Sequence, residues 1–85
     1  MWDKHTSAMK AKIILTASLR TVLEEKPEVV EREINQPMSI RRLLIETGIN
    51  PLIVMKVFVD GIQRSKEDLL DRDFEIVLMG PVSGG

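Results

Sequence analysis

One stretch of this chain is long enough, and spaced regularly enough, to be a packed helix. Ile40, Leu43, Leu44 and Thr47 recur at intervals of three and four residues, so they share one helical face. Ser39 stands at the N-cap, and Met38 and Leu43 occupy the two positions of a hydrophobic staple. Gly48 suits the left-handed residue that closes a helix, and Pro51 keeps the helix from resuming. Most other apolar segments alternate with period two. One helix among strands, in 85 residues, has to lie across one face of a mixed sheet. A domain this small buries only about 60% of its unfolded surface. With one Trp and two Phe, its core must come from Ile, Leu, Val and Met.

The strands follow from the alternation. Residues 12–19 predict the first, with Ile13, Leu15, Ala17 and Leu19 inward and Ile14, Thr16, Ser18 and Arg20 outward. Residues 21–27, with Glu24-Glu25-Lys26-Pro27, read as a charged loop. Val29–Ile34 reads as an edge strand, because Glu31, Arg32 and Glu33 suit a strand facing water. It is expected to pair antiparallel with the first. Residues 53–60 predict a third strand with Met55, Val57 and Val59 inward and Phe58 outward. Asp60-Gly61 signals a tight turn into a short return strand, Ile62–Arg64. Residues 65–68 can open a single helical turn, with Leu69 and Leu70 inward. Phe74–Met79 is the last strand, and it should lie beside the first at the sheet centre. Arg41 and Arg42 fall in the first helical turn, either as a solvated face or as a partner contact.

Composition removes several functions. Twelve basic residues against thirteen acidic ones leave no bulk positive charge for nucleic acid. There is no cysteine, hence no disulfide, thiolate ligand or cysteine nucleophile. The one histidine, His5, lies in the N-terminal segment and reads as a solvated side chain. No apolar run reaches transmembrane length and no signal-peptide pattern is present, so a cytoplasmic, membrane-free protein is expected. No phosphate loop, dinucleotide fingerprint or metal-ligand cluster is visible. No cofactor is expected to be bound. Residues 1–9 read as a disordered lead-in, natural or left from expression, with Met9-Lys10-Ala11 a second plausible start.

After the last strand come Gly80-Pro81-Val82-Ser83-Gly84-Gly85. Pro81 stops the strand, and the glycine pair makes a thin thread able to enter a channel closed to larger side chains. The expected organisation is a domain over residues 10–79 and a tail over residues 80–85. A frayed end is the plain alternative.

Strand, strand, helix, strand, short strand, turn, strand is the order of the β-grasp fold of ubiquitin-like proteins. Val57-Phe58-Val59-Asp60-Gly61, Leu70-Asp71-Arg72-Asp73-Phe74-Glu75-Ile76 and the Pro-Val-Ser-Gly-Gly ending resemble the small, sulfur-carrier subunit of molybdopterin synthase. Ala17-Ser18-Leu19-Arg20 and Ile40-Arg41-Arg42-Leu43-Leu44 fit the same family. That family often has two prolines before the valine; here Gly80 replaces the first. The resemblance implies that a ubiquitin-activating-like partner uses ATP to adenylate Gly85, with Gly84 beside it. An external sulfur donor then leaves a C-terminal thiocarboxylate. A large catalytic subunit would receive the tail, through Pro81, Val82 and Ser83, for molybdenum cofactor biosynthesis. The chain is then not an enzyme by itself. Carriers of the thiamine pathway or of tRNA thiolation, and a ubiquitin-like modifier or binding module, are the alternatives. With Phe74, Ile76 and Leu78 inward, Ile14, Phe58, Val77 and Met79 form an exposed apolar patch for a partner. A one-residue error in strand phase would place the same four in the core.

Overall fold

The computed structural model describes residues 9–81. Elements follow in the order β1 (Met9–Leu15), α1 (Ala17–Val22), β2 (Val29–Ile34), β3 (Met38–Ser39), α2 (Ile40–Thr47), a 3-10 turn (Pro51–Ile53), β4 (Lys56–Val59), β5 (Ile62–Arg64), β6 (Leu69–Leu70) and β7 (Phe74–Met79). Five strands form one mixed sheet in the order β2-β1-β7-β4-β5, and β3 pairs with β6 in a separate two-stranded piece. β1 and β7 run parallel at the centre, and β2, β4 and β5 add antiparallel pairs. With α2 covering one face, this is the expected β-grasp fold.

The alternation places the core. Ala11, Ile13 and Leu15 of β1, Val57 and Val59 of β4, and Phe74, Ile76 and Leu78 of β7 are all buried. Ile40, Leu43 and Leu44 of α2 are fully buried with them, each contributing roughly 1.5–3 kcal/mol by removal from water. The helix begins where expected. Ser39 Oγ accepts from the Arg42 N–H at 3.1 Å. The two preceding N–H groups go to the loop before β6, Ile40 to Asp68 O and Arg41 to Lys66 O. Three orphan donors of the first turn are thereby satisfied. Gly48 closes the helix in the left-handed region at φ 84°. Asp60 and Gly61 both have positive φ, the conformation that joins two strands by a two-residue turn.

Four expectations need correction. β1 ends at Leu15, and residues 17–22 are helical. Ala17 is therefore exposed while Leu19 stays buried. Positions four apart share a face in a strand and in a helix alike, so Leu15 and Leu19 fit both periods. β4 begins at Lys56 because Asn50 caps a 3-10 turn, accepting from the Leu52 N–H at 2.9 Å. Met55 is consequently 56% exposed rather than inward. Residues 65–68 make a turn instead of a helical one, and Leu69 points to solvent with only Leu70 buried. β1 begins at Met9, opposite Ile34, one residue inside the expected lead-in. The rest of that lead-in, Trp2 and His5 included, lies outside the described residues.

Lys66 ties this region together. Its ammonium donates to Pro51 O and Val54 O, each at 2.8 Å, so one side chain holds the 3-10 turn against the loop before β6.

Candidate functional site

The sheet has a second face, turned away from α2. Register sets its side chains in rows. Val29, Ile14, Val77 and Phe58 stand opposite one another across β2, β1, β7 and β4. Three strand spacings make that row roughly 15 Å long. Ile14, Val77 and Phe58 are half-buried, Val29 is exposed, and none belongs to the buried core. Ile14, Phe58 and Val77 thus lie outside the core, as expected, but are half-buried where the sequence reading expects them exposed. Met79, also half-buried, lies one step along β7 opposite Lys56.

Charge bounds the row on the side away from the tail. Lys12 stands between Glu31 and Glu75, and its ammonium lies 3.7 Å from the Glu75 carboxylate. Both are about half exposed, so the pair contributes little to stability. Its effect is to end the apolar strip. Farther along that end lies a hollow of about 580 Å³, lined mostly by charged residues including Lys10, Glu33 and Asp73. Among the described residues, no group of three His, Cys, Asp or Glu side chains could hold a metal ion. No described helix is long and apolar enough to cross a membrane.

The other end of the row is where β7 leaves the sheet, and its last backbone groups are held from both sides. The Met55 N–H donates to Met79 O at 2.8 Å. From the α1 side, the Thr16 N–H and the Thr16 hydroxyl both donate to Leu78 O, at 3.2 and 2.9 Å. The Gly80 N–H donates to Ser18 Oγ at 3.1 Å. Gly80 itself is buried against Leu19. A Cβ at position 80 would meet Leu19 Cδ2 at 2.8 Å and Leu19 Cγ at 2.9 Å. Glycine at this position is therefore a requirement of space. Pro81 follows, exposed to solvent. Val82, Ser83, Gly84 and Gly85, all expected site residues, lie outside the described residues.

Sequence reasoning missed Thr16, Ser18 and Leu19 as the collar of this exit. Alternation assigns Ala17 to Leu19 to a strand, and Ala17-Ser18-Leu19-Arg20 carries only a family resemblance. The signal was present in Thr16, which can cap a helix start as readily as continue a strand.

What the arrangement can do is limited and definite. It offers a rigid body, an apolar strip on one face and an emerging segment anchored up to Gly80. No nucleophile–base pair is assembled along the strip or at the exit among the described residues.

No protein-family model matches the sequence, and no curated protein matches it. Solved structures do match in shape. SAMP1 from Haloferax volcanii superposes with a TM-score of 0.69 at 19% identity, covering 89% of this chain and 99% of that one. The Haloferax volcanii HVO 2177 protein, known from a solution structure, gives a TM-score of 0.67 at 16% identity, covering 93% of this chain and 89% of its own. At such identities the likeness establishes the shared β-grasp fold.

Proposed function

We propose that this chain is a sulfur carrier whose reactive group is the carboxylate of Gly85. The observation that carries the reading is the exit of β7. A central strand of a β-grasp domain is held firmly to Gly80, beside an apolar strip, and then continues as Pro-Val-Ser-Gly-Gly. A rigid handle, a docking face and a slender segment are what delivery of a reactive end into another protein's channel needs.

The chemistry follows from the carboxylate. It is a poor electrophile, so its oxygen first attacks the α-phosphorus of ATP, releasing pyrophosphate and forming an acyl adenylate. Hydrosulfide, or an equivalent sulfur nucleophile, attacks the carbonyl carbon and AMP departs, leaving a thiocarboxylate. The chain has no cysteine, so the sulfur comes from outside. A separate adenylating enzyme of the ubiquitin-activating type supplies ATP chemistry. On the resemblance of its last third, the recipient is the large subunit of molybdopterin synthase. Ile14, Phe58, Val77 and Met79 dock on these partners, while Pro81, Val82 and Ser83 thread toward the active centre.

A second reading shares the adenylate and differs in the acceptor: a protein lysine amine in place of sulfur. Gly80, standing where the molybdopterin family often has proline, favours keeping it. Intact mass after incubation with ATP, an adenylating enzyme and sulfide separates the two. The carrier reading expects one sulfur in place of one oxygen at Gly85. The modifier reading expects a conjugate lighter by one water than its parts. Appending Ala after Gly85 moves the reacting carbon by about 3.3–3.6 Å and should abolish either product. An extended, untrimmed chain that reacts as fast as the native one would overturn both.

A further inference from the structure

We infer that Ser18 is a positioning residue for the chemistry of the tail, acting with Thr16 as a hydroxyl clasp that aims the segment leaving β7. The inference rests on the carrier reading above and adds to it the group that sets the direction of the tail.

The argument begins with a departure from ordinary helix capping. Thr16 is the N-cap of α1 yet its side chain caps nothing in that helix. An N-cap threonine normally accepts from a backbone N–H two or three residues on. Here its hydroxyl proton goes across to Leu78 O at 2.9 Å. Ser18 Oγ lies 3.5 Å from Thr16 Oγ1 and accepts the Gly80 N–H at 3.1 Å. A hydroxyl has one proton and two lone pairs. Thr16 has committed its proton to Leu78, so any bond between the two hydroxyls must run from Ser18 to Thr16. Two bonds thus reach the end of β7 from neighbouring hydroxyls: the Gly80 N–H donates to Ser18, and Thr16 donates to Leu78 C=O. One holds Leu78 within β7 and the other holds Gly80, the first residue after it.

Geometry makes this a device for aim. No sheet neighbour holds the Gly80 N–H; a side chain on a six-residue helix does. Leu19 closes the other side of Gly80 so tightly that no Cβ fits. The direction in which the chain continues at Pro81 is therefore set by Ser18 and Leu19. Misplacing a reacting group by about 1 Å can lower a rate roughly a hundredfold, so the hold on Gly80 bears on a reaction at the chain end.

The experiment uses the full chain, an adenylating enzyme and ATP–pyrophosphate exchange as the rate, together with amide hydrogen exchange at Gly80. Ser18→Ala should remove the protection of the Gly80 amide. It should lower kcat by about tenfold or more and leave KM for the carrier unchanged, because the docking strip is untouched. Ser18→Thr, which keeps the hydroxyl, should restore kcat. A loss of folded carrier would instead raise KM and spare kcat. Equal Gly80 protection in native and Ser18→Ala chains would show that the clasp does not hold Gly80 and overturn the inference. Lost protection with unchanged kcat would overturn it too. A native chain that supports no exchange at all refutes the carrier reading itself and the positioning role with it.

Discussion

Replacing Gly80 by alanine tests the exit at its tightest point. The added Cβ would lie 2.8 Å from Leu19 Cδ2, 2.9 Å from Cγ and 3.4 Å from the Leu19 Cα. Carbon atoms do not remain closer than about 3.5 Å without repulsion, so something must move. Leu19 has 0% of its surface exposed and cannot swing into water. Either its side chain leaves a staggered rotamer, at about 0.5–1.5 kcal/mol, or α1 withdraws from β7. Overpacking of this kind destabilises by roughly 1–3 kcal/mol. In a domain of this size, each kcal/mol lowers Tm by about 4–8 °C. Urea denaturation should show a lower midpoint at an unchanged slope. A Leu19→Ala background supplies the control. That change alone should destabilise by about 2–5 kcal/mol, but adding Gly80→Ala to it should then have almost no further effect, a coupling of at least about 1 kcal/mol. Gly80→Pro should be worse than alanine, since it also removes the N–H held by Ser18. The reasoning fails if Gly80→Ala stays within about 0.5 kcal/mol of native. It fails equally if the loss is the same with and without the Leu19 side chain.

The other predictions concern the core, the loop tie and the docking face. Leu43→Ala, at a fully buried position on α2, should lower unfolding free energy by about 2–5 kcal/mol; a change near zero would mean that α2 does not seat on the sheet through this face. Lys66→Met keeps most of the stem and removes the donors to Pro51 O and Val54 O, so a loss of about 1–3 kcal/mol is expected by denaturation. An unchanged midpoint would show those two bonds to be dispensable. Met79→Asp, on the open face, should leave Tm nearly constant and raise the KM for adenylation by about tenfold or more. A protein that unfolds instead would place Met79 in the core.

How much of this was legible in the sequence depended on whether a pattern had one solution or two. The α2 segment had one: Ser39, the three-and-four spacing and Gly48 point to the same boundaries, and the structure keeps them. β2, β5, β7 and the Asp60-Gly61 turn were equally determined, because period two, edge charges and a dipeptide suited to positive φ are local properties. From such elements the β-grasp order follows. The 12–20 segment had two solutions. Leu15 and Leu19, four apart, satisfy a strand and a helix alike, and what distinguishes the observed arrangement is long-range: Thr16 bonds Leu78 O, Ser18 holds Gly80 and Leu19 packs against it. Residues 51–55 were decided by a cap and a long-range bond, Asn50 to Leu52 and Met55 to Met79 O. The open apolar row was readable as an alternation. Its alignment across β2, β1, β7 and β4 is a matter of register, set by pairing between distant segments. The exit collar is the extreme case. Ser18 and Gly80 are 62 residues apart, and neither carries a pattern that names the other. Periodicity and turn chemistry report what a residue's neighbours in the chain require. Which hydroxyl meets which amide, and where a Cβ has no room, are settled only when the folded chain brings remote segments within bonding distance.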